Sequence, residues 1–176
     1  MKSLTKLIML VGFVFTMNSC SDELPLQELH YEAVTAEVNE ETAFANCMSP
    51  DHISCFLDDG FNRWGWVNGP VTNGLTSPLI AGAGQCDLDK GTVVGSVDVS
   101  YNHATGMVSI IFSAEEGWEI TETHLYVGGE PYPVGKNGKP TVAPGKFPHK
   151  GQMEYLVPAP NPFYYIAHAV VVESTE

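Results

Sequence analysis

The sequence predicts an all-β fold: a single antiparallel β-sandwich or small barrel-like domain, set behind a signal peptide and a flexible tether. Two observations carry this. Several segments alternate apolar and polar residues with a period of two, and Asn/Gly-rich turn signals separate them at intervals of roughly 8–12 residues. A third excludes the alternative, because from residue 44 onward no stretch has the apolar period of an amphipathic helix.

In chain order, the first element lies outside the fold. Lys2 and Lys6 make a short basic start, and Leu7 to Phe15 follow without a charge. That run is too short for a bilayer core of roughly 30 Å, and its flanks have the pattern of a secretory signal. Met17-Asn18-Ser19-Cys20 then resembles the bacterial lipobox, in which a peptidase cuts before a cysteine whose thiol has been acylated. The resemblance implies a signal peptide over residues 1–19, a lipid on Cys20 and a lipoprotein of the outer membrane.

Residues 20–43 follow as an acidic tether. Between 21 and 43 there are seven acids and no Lys or Arg, and at most one weak helix near 28–41 is expected. Ser21-Asp22-Glu23 resembles the acidic tag that carries some Gram-negative lipoproteins to the cell exterior, although ordinary tether acidity accounts for it equally well. Cleavage leaves six Lys and Arg against 21 Asp and Glu, a net charge of −15. Such a surface repels phosphate backbones, so nucleic acid is not an expected partner. It also offers no basic patch for anionic lipid. The membrane is then reached through the acyl chains on Cys20, each buried CH₂ contributing about 0.8 kcal/mol.

The β-module is expected over residues 44–176. Within Thr92–Tyr101 the set Val93, Val97, Val99 and Tyr101 falls on one face, and Asn102-His103-Ala104-Thr105-Gly106 supplies a turn. Met107 to Ser113 alternates again, with Val108, Ile110 and Phe112 together, which completes a hairpin. Trp118 to Val127 is a third strand, and Asn137-Gly138 is a tight-turn pair. Phe163 to Val172 has the composition of a strand buried on both faces.

Three cysteines remain beside Cys20, which allows one bridge and leaves one thiol. Cys55–Cys86 closes the longer loop and would contribute about 3–4 kcal/mol; Cys47–Cys55 closes a shorter one and stabilises less. The residues leave both pairings open, with Cys55–Cys86 preferred.

A series of blocks can now be read together. Glu41-Thr42-Ala43-Phe44-Ala45 and Cys55-Phe56-Leu57 come first, followed by Arg63-Trp64-Gly65-Trp66-Val67-Asn68-Gly69-Pro70. After them come Ala81-Gly82-Ala83-Gly84-Gln85-Cys86-Asp87-Leu88 and Glu122-Thr123-His124-Leu125-Tyr126-Val127-Gly128. Thr141-Val142-Ala143-Pro144-Gly145 and Ala167-His168-Ala169 close the series. It resembles a β-rich module of secreted and surface-anchored bacterial proteins that has no assigned activity. The resemblance implies an exported β-unit and transfers no catalytic residue. Members often end the last strand in a cysteine where this chain has Val172-Glu173, so their cysteine pairing is not carried over.

The candidate ligand-binding residues are Arg63, Trp64, Trp66 and Tyr126. Two tryptophans two apart share a face if the chain is extended there, or are splayed by Gly65 if it turns. Exposed, they would stack on sugar rings or anchor a protein partner; buried, they are core, as Tyr126 and Trp118 would also be. Asp58-Asp59 and Asp87-Leu88-Asp89 are oxygen-rich loops of the kind that bind Ca²⁺, but the EF-hand pattern is absent and acidic loops are usually just solvated. No cofactor is therefore expected. His124 and His168 would be candidates for zinc only if their strands are neighbours, and no third ligand stands at a defined spacing. No nucleophile elbow, zinc-protease motif or paired-carboxylate signal is present, so no catalytic residue is expected. The expected function is a lipid-anchored binding or adhesion module for a glycan or protein. The alternatives are an accessory subunit of an envelope complex and a small hydrolase.

Overall fold

Every segment expected to be extended forms a strand. The computed structural model describes residues 39–174, so the signal peptide, Cys20 and residues 20–38 of the tether lie outside the described residues. Among the described residues ten strands follow one another: β1 (Glu41–Ala45), β2 (Ile53–Cys55), β3 (Trp66–Val71), β4 (Gly74–Ala81) and β5 (Thr92–Asn102). After these come β6 (Met107–Ala114), β7 (Trp118–Gly128), β8 (His149–Lys150), β9 (Glu154–Pro158) and β10 (Phe163–Glu173). The first begins at Glu41, inside the last residues of the stretch read as tether.

All pairings are antiparallel, and the sheet order β2-β3-β10-β1-β4-β5-β6-β9 has β7 on the other edge of β10. The sheet curls into a half-barrel. Its two ends are drawn together where the Thr123 hydroxyl of β7 and the Tyr155 hydroxyl of β9 share a hydrogen bond of 2.7 Å. Strand β10 is the hub. It pairs with β7 along its length on one edge, and on the other edge with β3 near its start and β1 near its end. Asn68 closes the gap between those two short strands, donating to the Ala45 carbonyl at 3.1 Å and accepting from the Cys47 N–H at 2.8 Å.

Because side chains alternate across a strand, a strand covered on both faces feeds two cores. Phe163, Tyr165, Ala167, Ala169 and Val171 of β10 enter the concave interior with Val97 and Val99 of β5 and Val108, Ile110 and Phe112 of β6. Ile166 points the other way, into a second cluster with Phe44, Phe56, Trp66, Tyr126 and Phe147 that loops cover from outside.

One face assignment is corrected. The register shifts between the β4 residues Leu79 and Ile80, which pair with Gly95 and Val93. The extra residue is Val94, and this bulge re-phases the strand. Val94 is therefore fully buried, whereas Val93 is half exposed.

Candidate functional site

The second core does not fill its own face. Where β1, β10 and β7 lie side by side, a cleft of about 700 Å³ opens over them. Backbone register builds its floor: Phe44 pairs with His168, and His168 pairs with His124. Directly opposed side chains on one face stand close together. The Phe44 and His168 rings are accordingly 4.8 Å apart edge to face, and Nδ1 of His124 lies 3.1 Å from Nδ1 of His168.

The walls come from three loops. Asn62, Arg63 and Trp64 come from one loop, Gln85 from a second, and Val142, Pro144 and Gly145 from a third; Glu122 completes the rim on β7. The Cys55–Cys86 disulfide joins the end of β2 to the turn that carries Gln85. The preferred bridge is thus the one formed, and Cys47 is the remaining thiol. Its Sγ donates to the His52 carbonyl at 3.2 Å, and burial pushes its pKa up, away from a reactive thiolate.

Burial acts on the histidines in the opposite direction, because the interior disfavours the imidazolium. His168 is 5% exposed, and its pKa is pushed down to about 3 by burial and then by the neighbouring His124. The pKa of His124 is also lowered, chiefly by burial, with the Glu122 carboxylate opposing and Lys150 adding to the fall. Both rings are neutral at pH 7, so one Nδ1–H donates to the other Nδ1.

The four candidate binding residues divide. Arg63 and Trp64 line the cleft, with Trp64 half buried. Trp66 is 4% exposed and Tyr126 9%, so both are core and neither offers a stacking surface. The division follows from Gly65, whose φ of +136° breaks the strand alternation between the tryptophans, so that Trp66 is buried and Trp64 half buried while the two indoles stay in edge-to-face contact at 5.8 Å. The Tyr126 hydroxyl donates to the Glu130 carbonyl at 2.8 Å.

The acidic loops have local partners. Asp59 accepts from the Ser54 hydroxyl at 2.7 Å and from the Tyr132 hydroxyl. Asp87 accepts from the Asp89 N–H at 3.2 Å and pairs with Lys90 at 2.9 Å. Among the described residues no three His, Cys, Asp or Glu side chains converge in the manner of a calcium cage.

Sequence reasoning missed Phe44, Asn62, Gln85 and Glu122 as cleft residues. The strand order, which brings residues 42–44, 122–124 and 168 together, reveals Phe44 and Glu122, and the loops that fold over those strands bring in Asn62 and Gln85. No family model, curated protein or solved structure matches the chain.

Proposed function

We propose that this chain is a lipid-anchored protein of the bacterial outer membrane that binds a glycan, without catalysis, in the cleft over β1, β10 and β7. The anchor is the lipid on Cys20, placed by the lipobox over Met17 to Cys20. The observation that carries the binding reading is the composition of the cleft. A half-buried indole, Trp64, stands beside two side-chain amides, Asn62 and Gln85, and two opposite charges, Arg63 and Glu122. Sugar rings need an apolar ring face for their C–H surface and hydrogen-bonding groups around it, and sites of this size bind small ligands by the same division of labour. Among the described residues lining the cleft only one is a carboxylate, Glu122, whereas a glycosidase works with two across the bond. That weighs against the hydrolase.

Screening the full chain on a glycan array tests the reading, with Trp64→Ala as the variant. Saturable binding that falls roughly tenfold or more in the variant, with its fold intact, is the expected result. No binding on the array, or binding unchanged in Trp64→Ala, would sink it.

One observation favours the accessory-subunit reading instead. Ile111, Met153 and Leu156 are exposed around the β6–β9 pair, Leu156 at 67%. Loss of a co-purifying outer-membrane protein in Leu156→Lys would select that reading.

A further inference from the structure

We propose that His124 and His168 form a binding site for one divalent transition-metal ion of the copper and zinc class at the floor of the cleft. The inference is independent of the glycan reading, since it uses neither Trp64 nor Arg63.

Imidazole nitrogens hold such ions at about 2.0–2.1 Å. Two of them on one ion, at angles between square and tetrahedral, stand about 2.9–3.4 Å apart. The two Nδ1 atoms are separated by 3.1 Å. Ring orientation separates ligation from a straight hydrogen bond. At that nitrogen spacing, collinear rings would have centroids about 5.4 Å apart, and rings aimed at a shared ion about 4.8 Å. The observed 5.1 Å lies between the two arrangements.

The pair is also held in place. The two histidines are direct partners in the β7–β10 ladder, and Phe44 packs against the far side of His168. Burial, the largest influence on His124, disfavours positive charge there; of the two nearby charges the Glu122 carboxylate opposes that and the Lys150 ammonium adds to it. Without an ion, one Nδ1–H donates to the other ring. When an ion binds, that proton moves to Nε2 of the same ring, both Nδ1 lone pairs become ligands, and no proton leaves the protein.

Among the described residues no third His, Cys, Asp or Glu converges on the pair. The remaining coordination positions therefore face the cleft and are filled by water or by whatever the cleft holds. With two imidazoles as the only protein ligands, copper(II) binds more tightly than zinc, following the general affinity order of divalent ions.

The test is equilibrium dialysis of the detergent-solubilised full chain against copper(II) and zinc salts, with electron paramagnetic resonance of the copper form. One copper(II) per chain is expected, with hyperfine structure from two imidazole nitrogens and weaker competition by zinc. His124→Ala, at a half-exposed position, should weaken binding roughly tenfold or more and remove one nitrogen from the spectrum. His168→Gln should do the same if it folds. Absence of saturable binding, an oxygen-only spectrum from ions on surface acids, or unchanged affinity in His124→Ala would overturn the proposal. Should neither variant fold, fewer than two imidazole nitrogens in the spectrum of the unaltered chain would overturn the proposal as well.

Discussion

Gly65 gives different burial to two tryptophans that the sequence presents as a pair and that stay in edge-to-face contact at 5.8 Å. A Cβ built on it would lie 2.5 Å from the Phe56 ring and 3.0 Å from the Phe44 ring, at a φ that L side chains rarely adopt. Its carbonyl also accepts from the Phe56 N–H at 2.9 Å, so the segment cannot slide away from the second core. Gly65→Ala should therefore destabilise the protein by about 2–4 kcal/mol, combining backbone strain with overpacking. Urea unfolding measures this, and a change below about 0.5 kcal/mol would mean that the turn relaxes without cost. The side chains on either side have different roles. Trp66 fills the core, as a large residue in a small β-domain commonly does, and Trp64 is left at the rim beside Phe44, 5.3 Å from ring to ring. Both readings of the tryptophan pair were open in the sequence; the glycine between them decided it, through a backbone angle that residue names alone do not fix.

Among the elements, legibility followed periodicity. Strands β5, β6, β7 and β10 run for 8 to 11 residues each and alternate clearly or are continuously apolar, so their extended form could be read directly. Strands β2 and β8 have three residues and two, too few to show a period, and exist because longer neighbours offer them an edge. The His124–His168 contact was illegible for another reason: it joins residues 44 apart, and the β7–β10 register is set by turns and packing far from either histidine. The loops covering the second core carry no period, and their covalent tie is the Cys55–Cys86 bridge across 31 residues. Replacing both cysteines by alanine should cost about 3–4 kcal/mol. The loss should also be local. Hydrogen exchange is expected to rise around Phe56, Trp66 and Val67 of the second cluster well before it rises around Val97 or Ile110 of the concave interior, which the sheet itself encloses. Uniform loss of protection across both cores would show instead that they unfold as one unit.

At the scale of the whole molecule, the half-barrel and the acidic charge bear on the same question, which is how the protein would stay at a membrane if the proposed lipid anchor holds. Among the described residues no helix is long and apolar enough to cross one. The mature chain proposed from the lipobox has six basic residues against 21 acidic ones, so its surface is repelled by anionic headgroups. On the proposed reading, attachment would fall to acyl chains on Cys20, where each buried CH₂ would contribute about 0.8 kcal/mol and two or more chains would make release very slow. This assignment predicts an all-or-none response to a single atom, the Cys20 sulfur. Wild-type chain should incorporate a palmitate analogue and remain with the outer membrane through high salt and alkaline washing. Cys20→Ala should incorporate none and leave the outer-membrane fraction, while a disulfide-bonded β-domain of unchanged circular dichroism shows that the module itself is intact. High salt separates this from electrostatic docking, which screening would weaken on the scale of a Debye length of about 10 Å. Membrane retention of Cys20→Ala after those washes would refute the lipid anchor and shift attention to the exposed apolar residues around β6 and β9.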